Sequence, residues 1–170
     1  MPYPLSPRPN KACVILSLST GRIEQLRNKY DIDIVWTHFP LHPETPGQGA
    51  SLEDLFAGRD VDVAEMQARM KGLMEQEGLP YGDRTHTYNS RLAQELGKWA
   101  DTQGQGDAFH DAMFQAYFVT GQNIGDIETL IELATSVGLS ADEARAVLTE
   151  RRFQEAIDAD WQRSREFGVT

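Results

Sequence analysis

Asp31-Ile32-Asp33-Ile34-Val35-Trp36-Thr37-His38-Phe39-Pro40-Leu41-His42-Pro43 is the stretch on which the fold turns. Its first six residues alternate polar and apolar before becoming continuously apolar, the pattern of a half-buried strand. Pro40, Pro43 and Pro46, with Gly47 and Gly49, then withhold amide donors and loosen the backbone, so a long loop must follow. Upstream, Ile23, Leu26 and Tyr30 fall on one side of a helix. The order helix, strand, loop precedes a chain that changes character completely.

From Ser51 onward almost everything reads as helix. Val63, Met66, Met70 and Leu73 share one face, and Leu92, Leu96 and Trp99 another. Phe109, Met113, Ala116 and Tyr117 make a third stripe, Ile127, Leu130, Ile131, Ala134 and Val137 a fourth, and Phe153, Ile157 and Trp161 mark the last helix. Ser140 with Glu143 has capping-box spacing, and Gly138 is placed to end the preceding helix in the left-handed conformation. Gly104 and Gly106 separate two more helices. Met66, Met70 and Met74 read as core filler.

These pieces, in their order, resemble a known family. Arg22 and Glu24 in the early helix, Trp36 to Pro43 as a Trp-x-x-Phe-x-Leu-x-Pro turn, Tyr88-Asn89-Ser90-Arg91-Leu92-Ala93, Phe114-Gln115-Ala116-Tyr117-Phe118 and Asn123-Ile124-Gly125-Asp126 are similar to motifs of the DsbA-like thiol oxidoreductases of the FrnE type. The resemblance implies an α/β thioredoxin-like fold with a large all-α insertion, in this chain predominantly helical with an incomplete sheet. It divides the chain into a thioredoxin-like remnant over 1–50, a helical insertion over 51–149 and a returning helix over 150–170.

The family's active site is Cys-Pro-Trp-Cys at a helix start, and an ungapped register from Arg22 sets Cys13-Val14-Ile15-Leu16 on those positions. Cys13 is therefore the candidate catalytic residue. A cysteine at a helix N-terminus has its thiolate stabilised by unpaired amides and the helix dipole. With Leu16 in the second place, resolution by a neighbouring thiol is excluded, which leaves monothiol chemistry resolved by an external thiol such as glutathione. The competing reading makes Cys13 a small buried apolar residue. Ala12 to Leu18 is equally double-sided: its β-branched residues allow a short buried strand with Ser19 as helix cap, while the family register makes it a loop and first helical turn.

The family's core then resumes with a Gly-Val-x-Gly-Val-Pro-x-Phe segment holding a cis-proline, whereas this sequence ends at Gly168-Val169-Thr170. The expectation is a chain without that substrate platform, with a strand-poor remnant whose open edge could pair with a second copy. Impaired or absent catalysis follows. The implied partners are a thiol or disulfide substrate, with glutathione the one cofactor the chemistry suggests. Two further readings use the same residues: a glutathione-dependent isomerase or transferase relative, with Ser19 or Thr20 beside the thiolate, and a non-enzymatic helical binding or dimerisation module.

Composition narrows the partners. Sixteen basic against 26 acidic residues give a net charge of -10, which repels phosphate backbones and anionic lipid, so nucleic acid and membrane surfaces are not expected. No stretch approaches the roughly 20 apolar residues of a membrane span. One cysteine cannot form an internal disulfide, which suits a reducing, cytoplasmic setting. Prolines at 2, 4, 7 and 9 predict an extended N-terminal arm. His38 and His42 have i, i+4 spacing, but Pro40 between them removes its helical meaning, so no metal site is expected there or at His86 and His110. Asp101, Asp107 and Asp111 read as solvated helix faces.

Overall fold

A computed structural model describes residues 26, 29–31, 37–40 and 42–169. Within them a loop over 42–49 leads to β1 (Ala50–Ser51) and α1 (Leu52–Leu55), then α2 (Val63–Gln76), β2 (His86–Thr87) and α3 (Arg91–Thr102). Next come α4 (Gly106–Phe114), a π-helical turn over Gln115–Val119, α5 (Ile127–Ser136), α6 (Ala141–Thr149) and α7 (Gln154–Glu166). The strands pair antiparallel, Ala50 opposite Thr87 and Ser51 opposite His86. Gly49 enters this pair with φ 88°, and a Cβ there would sit 2.8 Å from the Thr87 carbonyl oxygen. Glycine is required on both counts.

Helix starts follow the sequence closely. Ser51, Asp62, Asp126 and Ser140 cap α1, α2, α5 and α6 by accepting from the amides of Asp54, Glu65, Thr129 and Glu143. Each satisfies one amide that the helix itself cannot. Gly138 takes φ 84° between α5 and α6, as its position predicts, and Gly104 takes φ 71° between α3 and α4.

The main core gathers α3 (Ala93, Leu96, Trp99, Ala100), α5 (Leu130, Ile131, Ala134) and α6 (Ala144, Val147, Leu148) around Phe109 of α4. A smaller cluster joins Met74 of α2 to Phe114 and Phe118. Phe114 and Phe118, four apart, share one side of the helix with ring centroids 5.1 Å apart, and Thr120 N–H closes the π turn by reaching back five residues to the Gln115 carbonyl at 3.0 Å.

Three expectations need correction. The helical reading of everything after Ser51 passes over the β1–β2 pair, which at two residues per strand is too short to show a period of two. In α2 the fully buried side chain is Met74, while Leu73 is 36% exposed, because α2 reaches the core through its C-terminal end where Met74 meets the two phenylalanines. Gly106 opens α4 instead of lying between helices. The expected strand Ile32–Trp36 and the residues before Leu26 lie outside the described residues, as do Arg27, Asn28 and Leu41. Leu26 and Tyr30 are joined by a helical hydrogen bond of 2.9 Å and are about half exposed.

Candidate functional site at the His38 loop

The loop running through Thr37–Pro40 and His42–Gly49 has two turn hydrogen bonds of its own, Thr45 N–H to the His42 carbonyl and Gly49 N–H to the Pro46 carbonyl, and several of its other carbonyls are met by side chains of the helical body. Asn89 Nδ2 donates to the Pro43 and Thr45 carbonyls, both at 3.0 Å, and Asn123 Nδ2 donates to the Gly47 carbonyl at 3.0 Å. Nearer its start, Ser164 Oγ donates to the His38 carbonyl at 2.9 Å and Gln94 Nε2 to the Phe39 carbonyl at 3.2 Å. Asn89 and Asn123 are the asparagines of two motifs that carried the family resemblance. Their role here is to fasten this loop.

His38, 8% exposed, is buried within this loop, as is Thr45. One oxygen of Asp160, Oδ2, accepts from the His38 amide at 3.0 Å and from Lys98 Nζ at 2.8 Å, and lies 3.0 Å from His38 Nδ1. Asp160 can only accept when ionised, so Nδ1 carries the ring proton and Nε2 keeps its lone pair. The ring stacks on His110 with centroids 6.1 Å apart. Gly97 lies beside both rings, where a Cβ would make ordinary contact at 3.7 Å from His110 and 3.9 Å from His38.

Burial pushes the His38 imidazolium down to about 4, with the hydrogen bond to Asp160 opposing and the charges of His110 and Lys98 assisting. Burial acts on Asp160 in the raising direction, but the His38 amide, Lys98 and the His38 ring outweigh it and hold the carboxyl below its usual range. At neutral pH the pair is a neutral imidazole on an ionised carboxylate. The pair fastens the loop to α7 through the His38 ring and amide together.

A second charged cluster lies along the same α3–α7 contact, where Arg91 meets Asp158 as Lys98 meets Asp160. Glu95 is fully buried and accepts from Arg151 Nε at 2.8 Å, Arg151 Nη2 at 2.6 Å and Arg91 Nε at 2.6 Å. Arg91 also bonds Asp158 at 2.7 Å and the Gln154 carbonyl at 2.9 Å, and its guanidinium stacks over Trp161 at 4.5 Å. Both arginines line a shallow groove of about 260 Å³ with Gly47, Asn89, Leu92 and Gly125. Their charge is already matched by Glu95 and Asp158.

Of the residues singled out by sequence, Cys13, Leu16, Ser19 and Thr20 lie outside the described residues. His38 and His110 are brought together. His42 instead approaches Glu44 at 3.6 Å, and His86 stacks on Tyr88 at 6.1 Å. Among the described residues no three His, Cys, Asp or Glu side chains are grouped to hold a metal ion. Glu95 and Asp160 are not among the residues the sequence singles out, although Glu95 has a visible signal. It sits three residues after Leu92 and four before Trp99, on the apolar stripe of its own helix.

The DSBA-like thioredoxin domain matches residues 17–170, and the chain belongs to that family. It is 26% identical over 146 residues to the uncharacterized protein YwbO of Bacillus subtilis, covering 84% of this chain and 70% of that one. Among solved structures it is similar to a probable DsbA oxidoreductase from Streptomyces coelicolor, with a TM-score of 0.81 and 25% identity over 92% of this chain and 72% of that one. A candidate protein disulfide isomerase from Nitrosomonas europaea shares the fold, with a TM-score of 0.63 at 15% identity, covering 95% of this chain and 77% of that one. The fold is thus thioredoxin-like of the DsbA kind. No helix among the described residues is long and apolar enough to cross a membrane.

Proposed function

We propose that this chain is a FrnE-like member of the DsbA family in which dithiol exchange has been reduced to the chemistry of one sulfur. The observation that carries the reading is the pairing of family membership over residues 17–170 with a single cysteine, Cys13, four residues before the match begins. A pair of cysteines is what allows such a scaffold to pass a disulfide on and release its substrate without help. Here Leu16 stands where the family register puts the second.

Cys13 as thiolate attacks one sulfur of a substrate disulfide, forming a mixed disulfide and expelling the other sulfur as a thiolate. With no second thiol in this chain, an external thiol of the glutathione class attacks the substrate's sulfur in that mixed disulfide. Cys13 leaves as thiolate and the substrate carries the glutathione. Each step exchanges one S–S bond for another, with no outside oxidant. A reducing, cytoplasmic setting suits a chain whose one cysteine must stay free.

The test is reduction of insulin, or of a glutathione mixed disulfide, by the purified protein with and without glutathione. The expected result is slow glutathione-dependent turnover that Cys13→Ser removes. Turnover unchanged in Cys13→Ser overturns the proposal.

A further inference from the structure

We propose that His38 is an acid-operated latch: protonation of its ring releases the start of the loop, Thr37 to Pro40, from α3 and α7 while the loop's far half stays fastened. The geometry divides the loop's attachments into two sets. The near set depends on His38, whose amide and ring both engage Asp160 and whose carbonyl takes Ser164 Oγ, with Gln94 holding the next carbonyl. The far set is Asn89 on Pro43 and Thr45 and Asn123 on Gly47, neutral amides on carbonyls with nothing to titrate.

The charges around the ring decide what a proton does. From α7 comes Asp160, from α3 Lys98 with Asp101 beyond it, and from α4 His110. Asp160 Oδ2 already serves the His38 amide and the Lys98 ammonium at 2.8 Å. A proton on the ring therefore sets two cations against one carboxylate in a site 8% exposed, with His110 stacked 6.1 Å away. Exposing the ring to water relieves this, and the His38 amide and carbonyl must leave with it.

The sign is fixed by the direction of the shift. The ring's folded value, about 4, lies below its ordinary 6.5, so the attachment is intact above 6.5 and is lost as pH falls from there towards 4. Asn89 and Asn123 confine the opening to the loop's first residues.

The test is amide hydrogen exchange by NMR on the full chain at pH 7 and pH 4.5, corrected for intrinsic rates. Protection of the His38 amide is expected to fall by roughly tenfold or more, while Gly49 and the core amide of Leu130 keep theirs. His38→Gln, which keeps a neutral donor for Asp160, is expected to lose this pH dependence. Core amides weakening in step with His38, or the same acid loss in His38→Gln, would overturn the latch. Should that variant fail to fold, direct titration of the wild-type ring decides: a midpoint at or above 6.5 sinks the proposal.

Discussion

Arg151 closes a bidentate pair on Glu95, at 2.6 and 2.8 Å, from a backbone φ of 54° that non-glycine residues rarely adopt. The strained residue lies in the link between α6 and α7, and its partner lies at the centre of α3, so one carboxylate ties three helices. Glu95 is 0% exposed, and Arg91 adds a third hydrogen bond from within α3. Removing the carboxylate takes away the three hydrogen bonds, while Arg151, 40% exposed, reaches solvent and Arg91 keeps Asp158. Glu95→Ala is expected to cost ~2–3 kcal/mol, and Glu95→Gln ~1–2 kcal/mol because some hydrogen bonds survive. Urea denaturation midpoints at constant slope measure both.

The same carboxylate makes the acid limb of stability predictable. Burial acts to raise the Glu95 value, but Arg151 and Arg91 prevail and hold it below the ordinary 4.5. Its contribution is therefore complete above 4.5 and is lost as pH falls through the lower folded value. Thermal midpoints followed from pH 7 to pH 2 should fall more steeply below 4.5 in the wild type than in Glu95→Gln. Parallel curves for the two proteins would refute the assignment.

How far the residues disclose their arrangement differs from element to element. The stripes of α3 and α5 rest on regular 3.6-residue repeats, so their buried faces can be read directly, and the start of α6 can be read from Ser140 with Glu143. The π turn cannot be read that way. It inserts a residue into the period after Phe114; Met113 and Tyr117 of the expected stripe pack against the main core, while Phe114 and Phe118 form a second cluster that the stripe does not include. The His38 cluster is opaque for another reason. Its groups come from the loop, α3, α4 and α7, and His38 and Asp160 stand 122 residues apart. Only the fold brings them together.

Two glycines of opposite character offer a paired test. Gly82 packs against the π turn, its amide donating to the Phe118 carbonyl at 2.9 Å, and a Cβ there would crowd the Val119 carbonyl carbon at 2.9 Å and its Cα at 3.2 Å. Backbone cannot move aside as a side chain can. Gly82→Ala is expected to cost about 1–3 kcal/mol. Gly72 lies within α2 with nothing within 4 Å of its would-be Cβ, so Gly72→Ala should stabilise by about 0.5–1 kcal/mol. Calorimetric midpoints of the two variants should move in opposite directions.

Gln94 is the last joint to test, because it links three elements through one amide. Its Oε1 accepts from the Trp161 indole at 2.7 Å, and its Nε2 donates to the Phe39 carbonyl at 3.2 Å and to Ser90 Oγ at 3.1 Å. Gln94→Ala removes a partner from the indole of α7 and from the loop at once, with an expected cost of about 1–3 kcal/mol. Gln94→Glu separates the two functions. The carboxylate still accepts from Trp161 but offers the Phe39 carbonyl only a lone pair, so the loop should loosen while α7 stays docked. Hydrogen exchange of the loop amides should rise in both variants, whereas the Trp161 indole proton should lose protection in Gln94→Ala alone. Equal exposure of the indole in the two variants would show that the amide does not join the loop to α7.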